Sequence, residues 1–263
     1  TIPAPRDDGE MATFNGRMWY VAGSSSGSYT LSNLSSLDGV TWETHTNAMN
    51  LSRDRFSLEV FTDKSSVPNL GTLAFDNNSF GNNDFRNVVY KESSTMLFAA
   101  SFGGGIQRTS DSGSTWTNLT TIDGLPSNNI YSVFMDRNDV LWAATDSGLA
   151  KSANDGVSWV NYTTGDGIVS NTVYDVFVDR ADKIYVATDS GLSFSSNGGT
   201  SWTTYTTAQG LAANSINDIF IDFNYKIYVA TNAGLSISSD GGTSWTTYTT
   251  IHGLASNTIN QVT

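Results

Sequence analysis

TSDSGSTW (109–116), SANDGVSW (152–159), SSNGGTSW (195–202) and SSDGGTSW (238–245) are four versions of one octapeptide, Ser/Thr-x-Asp/Asn-x-Gly-x-Ser/Thr-Trp. Its closing tryptophans, Trp116, Trp159, Trp202 and Trp245, stand 43 residues apart each time. A fixed period of this size marks an array of stacked structural units. The flanks repeat in register with the octapeptide. LPSNNIYSVFMDRNDVLWAATDSGLAKS (125–152) is followed by IVSNTVYDVFVDRADKIYVATDSGLSFS (168–195) and LAANSINDIFIDFNYKIYVATNAGLSIS (211–238). LASNTINQVT (254–263) opens a further copy.

Each unit contains four short runs rich in Val, Ile, Tyr, Phe and Trp, at 130–135, 140–145, 148–152 and 158–162 in the clearest copy. Turn material such as DRND, DSG and NDG separates them, so they read as antiparallel strands. Four strands in about 43 residues is the size of one propeller blade, which must stack on neighbours to bury its faces. No helical period interrupts the strands. The expected fold is all-β, one closed β-propeller of six or five four-stranded blades over residues 1–263, clearest in 85–263. SLDGVTW (36–42) is a decayed copy of the octapeptide. Segment 46–84 is irregular, either an insertion or a degenerate blade. TINQVT (258–263) matches a first strand and FNGRMWYVAGSSSG (14–27) a second strand onward. The two ends can thus complete one blade between them, unless a longer array is interrupted mid-repeat.

The octapeptide resembles the Asp box of the bacterial-neuraminidase repeat, found in sialidases, sortilin-like receptors, some glucan hydrolases and assembly factors. The longer unit is similar to the repeat of propeller sensors attached to two-component regulators. It shares GL-x-SN-x-I-x-x-(I/V)-x-x-D followed by (L/I)-(W/Y)-x-AT-x-x-GL. The resemblance covers 85–263 well and 14–45 weakly. It implies a ligand site near a central channel, on the face opposite the octapeptide turns, and an extracytoplasmic location.

Within the octapeptide, Asp111, Asn154, Asn197 and Asp240 read as turn caps, because short Asp and Asn side chains bond nearby backbone. The tryptophans read as anchors between blades. The face opposite carries TTIDGLPSN (120–128) and its copies, and SFGGG (101–105), TDSG (145–148, 188–191) and TNAG (231–234). Tyr29, Phe102, Tyr162, Asp123, Asp166 and His252 are the candidate ligand residues there. Tyr29, Phe102 and His252 break the repeat, whereas Tyr162 adjoins a Thr pair as an aromatic and polar edge.

Composition narrows the function. The net charge is -12, from 25 acidic and 13 basic residues, so nucleic acid and anionic membrane surfaces are poor partners. No apolar run reaches the length of a membrane span. The absence of cysteine removes disulfides and thiolate metal sites. TIPAPRDDGE (1–10) lacks the charged and apolar regions of a signal peptide, as the start of either a processed exported protein or a trimmed chain would. His45 and His252 lack metal-ligand spacing, and no cofactor motif is present.

A sialidase needs converging arginines, but beyond residue 117 only Arg137 and Arg180 occur, in equivalent turns. Another glycosidase needs two carboxylates at a set separation. Asp123, Asp146, Asp166 and Asp189 all fill repeat positions, where turn capping explains them. A singular carboxylate can hide only in the irregular third, at Glu43, Asp54, Glu59, Asp63, Asp76 or Asp84. The expectation is therefore non-catalytic recognition of a glycan or another extracellular ligand, with no catalytic, metal or cofactor residues. A protein-interaction or sensor scaffold is the alternative, and a glycoside hydrolase with its site in the irregular third is a further one.

Overall fold

The computed structural model describes residues 85–111 and 113–263 in full, and the backbone strands Glu10–Phe14, Arg17–Val21, Ser32–Ser36, Glu43–Thr46 and Ser57–Leu58. The strands form consecutive antiparallel sheets, each ordered as in the sequence. The first sheet is made by the four strands between Glu10 and Thr46. The second comprises Phe85–Lys91, Met96–Ser101, Gly105–Thr109 and Thr117–Leu119. The third comprises Ile130–Met135, Leu141–Thr145, Gly148–Ser152 and Val160–Tyr162. Val173–Val178, Ile184–Thr188, Leu192–Ser195 and Thr203–Tyr205 make the fourth. Ile216–Ile221, Ile227–Thr231, Gly234–Ser238 and Thr246–Tyr248 make the fifth. From the irregular segment, Ser57–Leu58 adds a parallel strand to Phe85–Lys91 of the second sheet. The architecture is that of a β-propeller.

One expectation changes. The first sheet supplies its own first strand, Glu10–Phe14, paired in register with Arg17–Val21. The dipeptide between them is Asn15-Gly16, the strongest short hairpin signal a sequence carries. Residues 258–263 do not complete that sheet. They lie instead along the fifth: the Ile259 amide donates to the Thr231 carbonyl (2.9 Å) and the Val262 amide to Asp218 Oδ2 (2.6 Å).

The core sits in the seams between sheets. Phe98, Ile106, Ile130 and Leu141 fill the seam between the second and third. Trp142, Leu149, Val173 and Ile184 fill the next, and Leu192, Ile216 and Ile227 the one after. Trp159, Trp202 and Trp245 each pack on one of these seams, so the period of the tryptophans is the period of the stacking.

The octapeptide turn is built by side chains. Ser152 Oγ accepts from the Gly156 amide (2.8 Å) and donates to Asn154 Oδ1 (2.9 Å). Asn154 Oδ1 also accepts from the Ser158 amide (3.0 Å). Asp111 and Asp240 do the same and accept a hydroxyl as well, from Thr115 and Ser244, at 2.6 Å each. Those hydroxyl bonds, with the amide bonds beside them, hold both carboxyls down at about 2. The glycine is required by contact as well as by φ. A Cβ on Gly199 would meet Tyr162 Cε1 of the preceding sheet at 2.6 Å.

Candidate functional site at the channel mouth

The first strands of the second to fifth sheets, with Asn260–Val262, line one channel of about 930 Å³. Regular alternation would turn every second residue of these strands away from it. A bulge near the start of each strand changes that. Pairing passes from Ile130–Thr145 directly to Ser132–Ala144, leaving Tyr131 as the extra residue. Tyr174 and Asn217 are the extra residues of the fourth and fifth sheets. In the second sheet the shift falls on Arg86 and Asn87. A bulge re-aims side chains, and Arg86, Tyr131, Tyr174 and Asn217 line the channel together with the residues that follow them.

The second of these residues forms a belt that joins the sheets. Asn87 Nδ2 donates to the Val133 carbonyl (2.8 Å), and Asn87 Oδ1 accepts from the Val133 amide (2.9 Å). Ser132 bonds to Asp175. Asp175 Oδ2 accepts from the Ile219 amide (3.3 Å), and Asp218 Oδ2 from the Val262 amide (2.6 Å). The Asp218 carboxyl lies beside that of Asp175. Burial raises the Asp175 carboxyl above its usual range, only partly offset by the bonds from Asp218, Ser132 and the amides.

The first residue of each pair forms the mouth. Tyr131 lies between Phe102 (centroids 5.4 Å apart) and Tyr174 (5.1 Å, edge-on). The Arg86 guanidinium sits 5.1 Å over the Phe102 ring. Phe102 is brought in by a lone bridge to Asn129, whose Nδ2 donates to Asp146 Oδ2 (2.6 Å). Burial, Tyr174, Asp146 and Asp189 hold the Tyr131 phenol above its usual range, against the opposing charge of Arg86. In the fifth sheet, next to that of Tyr174, the aromatic row gives way to amides. Asn217 Nδ2 donates to Asn232 Oδ1 (2.9 Å) and to the Ile259 carbonyl (2.7 Å). The mouth therefore offers aromatic rings in the second to fourth sheets and short polar groups in the fifth.

Of the residues singled out by sequence, Phe102 stands at this mouth. Tyr162 stands in the seam, stacked near Trp142 and edge-on to Trp202, with its hydroxyl donating to the Gly198 carbonyl (3.2 Å). Asp123 and Asp166 cap the 3-10 turns between sheets, accepting from the amides of Thr120 (2.8 Å) and Thr163 (2.9 Å). His252 occupies the same position and accepts from the Thr249 amide through Nδ1 (3.1 Å). Tyr29, and the carboxylates of the irregular third from Glu43 to Asp84, have side chains outside the described residues. Sequence reasoning passed over Arg86, Tyr131 and Tyr174. This column of the repeat reads Arg, Tyr, Tyr, Asn, Asn, a variation that sets it apart from the apolar column before it without showing which way its side chains face.

At the opposite mouth, Arg137 makes a two-pronged pair with Asp182 of the next sheet (2.7 and 3.1 Å), and Arg180 lies 4.2 Å over the exposed Phe223. Among the described residues, no three His, Asp or Glu side chains are grouped to hold a metal. No described helix is long and apolar enough to cross a membrane.

The family described as two-component regulator propeller matches residues 124–147, a single stretch of the third sheet and the turn before it. No curated protein matches the sequence. Solved structures share the fold. The extracellular domain of a one-component system of B. thetaiotaomicron is 16% identical over 98% of this chain and 36% of its own, with a TM-score of 0.66. PorZ, a bacterial surface component of the type-IX secretion system of Porphyromonas gingivalis, is 15% identical over 97% of this chain and 43% of its own, TM-score 0.61. The GH74 enzyme of Niastella koreensis is 15% identical over 94% and 32%, TM-score 0.51. The chain spans between about a third and two fifths of the length of these proteins. A sensor, a surface component and an enzyme on one architecture make this likeness one of fold.

Proposed function

We propose that this propeller is a non-catalytic recognition module that takes an extracellular ligand, of carbohydrate type, at the mouth formed by Phe102, Tyr131 and Tyr174. The observation that carries the reading is the bulge, which turns Tyr131 and Tyr174 out of the strand alternation and toward the channel. Aromatic faces stack on sugar rings, and the amides of Asn217 and Asn232 beside them suit hydroxyl groups. The sensor-propeller match and the extracellular and surface neighbours support an extracytoplasmic place. The finer architecture belongs to the same proposal: a closed ring of six or five blades, with the octapeptide as an Asp-box turn.

Calorimetry of the intact domain against oligosaccharides chosen from a glycan array tests the reading. Specific binding that Tyr131→Ala abolishes is the expected result. Binding that survives Tyr131→Ala and Tyr174→Ala together places the ligand elsewhere.

A protein ligand is the second reading. It is favoured by Ile122 and Ile251, 95% and 91% exposed on the 3-10 turns between sheets. Ile122→Ser and Ile251→Ser would then weaken capture of that partner and leave oligosaccharide binding unchanged.

A further inference from the structure

The mouth is not electrically balanced. Asp146 and Asp189 follow the second strands of the third and fourth sheets at equivalent positions, where the fifth sheet has Asn232. Both carboxylates are held in place. Asp146 accepts from Asn129 Nδ2 (2.6 Å) and from the Ser147 hydroxyl (3.1 Å), and Asp189 accepts from the Ser190 hydroxyl (2.8 Å). Burial opposes the charge on Asp146, but the bonds from Asn129, Ser127 and Ser147 outweigh it and keep the group ionised. Asp146 is tied through Asn129 to the Phe102 bridge, and the Asp189 amide donates to the carbonyl of Thr172 (3.3 Å), two residues before Tyr174. The cation beside these rings is Arg86, stacked on Phe102.

We propose that the ligand of this mouth is an amine-bearing saccharide, its ring against Tyr131 and Tyr174 and its ammonium group toward Asp146 and Asp189. The inference rests on the carbohydrate reading above and adds the charge of the ligand to it. Two carboxylates beside aromatic faces attract an ammonium group both directly and through the rings, and they repel an acidic sugar. A net charge of -12 over the chain acts in the same direction at longer range.

Calorimetry at mildly acidic pH tests this with three probes: oligomers of glucosamine, of N-acetylglucosamine and of a uronic acid. The wild-type domain is expected to bind the free amine about fivefold more tightly than its acetylated counterpart, the upper range for a solvent-exposed ion pair. That advantage shrinks with added salt. In Asp146→Asn/Asp189→Asn the ratio of the two affinities, measured within the variant, falls to about one. The variant is expected to fold, because Asn232 fills this position in the fifth sheet and accepts from Asn217. Equal binding of all three probes, a preference for the uronate, or an amine preference that survives in the variant overturns the inference alone. No binding of any saccharide overturns the carbohydrate reading and the inference with it.

Discussion

The seams between sheets and the mouth of the channel are built from the same repeat and treat it differently. In the seams, each column keeps its chemistry. Leu149 and Leu192 are equivalent and fully buried, and Ile130, Val173 and Ile216 are likewise. Tyr162 and Tyr205 both reach across to a carbonyl of the next octapeptide turn, at 3.2 and 3.1 Å. At the mouth the corresponding column reads Arg86, Tyr131, Tyr174, Asn217 and Asn260. Burial demands uniformity, because each seam must be filled to the same density. A residue that faces the channel is released from that demand. Variation inside an otherwise strict repeat thus marks the column that holds the proposed ligand residues Tyr131 and Tyr174.

The largest effect should come from emptying a seam. Leu149→Ala removes a side chain that is 0% exposed, between the third and fourth sheets. It is expected to cost about 2–5 kcal/mol, read as a lower midpoint in urea unfolding with an unchanged slope. A loss under about 1 kcal/mol would mean that the seams are not the source of stability. The octapeptide turns come next. Asn197→Ala removes the acceptor of the Ser195 hydroxyl and of the Ser201 amide and the donor to the Ser201 hydroxyl. Its expected cost is about 1–2 kcal/mol. Asn197→Asp should stay within about 0.5 kcal/mol, because Asp240 does the same work in the next copy. The contrast between the two substitutions is the sharper measurement.

The belt gives a dependence on pH that the seams do not. The Asp175 carboxyl is raised in the folded state, so its contribution is present in full below the ordinary carboxylate value of 3.8. It is lost as pH rises through the folded value, when two adjacent carboxylates must both carry charge. Stability is therefore expected to decline on that side. Asp175→Asn should flatten the decline, since Asn87 shows an amide bonding the neighbouring strand from the same position. Asp111 and Asp240 act with the opposite sign. Their carboxyls are held at about 2, and their contribution goes only as pH falls toward that value. Thermal melts across the acidic and neutral range separate the two. A wild-type profile that Asp175→Asn leaves unchanged would refute the raised Asp175 carboxyl.

The seams were legible in the sequence and the mouth was not, for a physical reason. Trp159 and Ile184 announce themselves by period and by apolar type, which is how burial is written in a chain. The predicted runs 130–135, 140–145, 148–152 and 158–162 fall within two residues of the observed strands. A bulge leaves no such mark. Tyr131 is one more aromatic in a strand-like run, and only the pairing of Ile130 with Thr145 and Ser132 with Ala144 shows that it stands out of step. Phe102 was legible because it breaks the repeat in a glycine-rich turn. Asp175 was not, because a single acidic residue in a strand looks like a solvent-facing one until Asp218 of the next sheet is placed beside it.

The smallest change in stability should accompany the largest change in binding. Tyr174→Asn gives the fourth sheet the residue that the fifth carries at the same bulge, Asn217. The half-buried ring loses its edge contact with Tyr131, but no described hydrogen bond depends on its hydroxyl, and Val173 and Val176 keep the seam filled. Its expected cost is below about 1 kcal/mol, with an unchanged far-ultraviolet spectrum. Oligosaccharide binding, by contrast, should fall at least tenfold, since one of the two stacking faces is gone, equivalent to about 1.4 kcal/mol. If Tyr174→Asn destabilises the domain as much as Leu149→Ala does, the bulge column belongs to the folding residues after all. The division between seam and mouth would then be one of position and not of role.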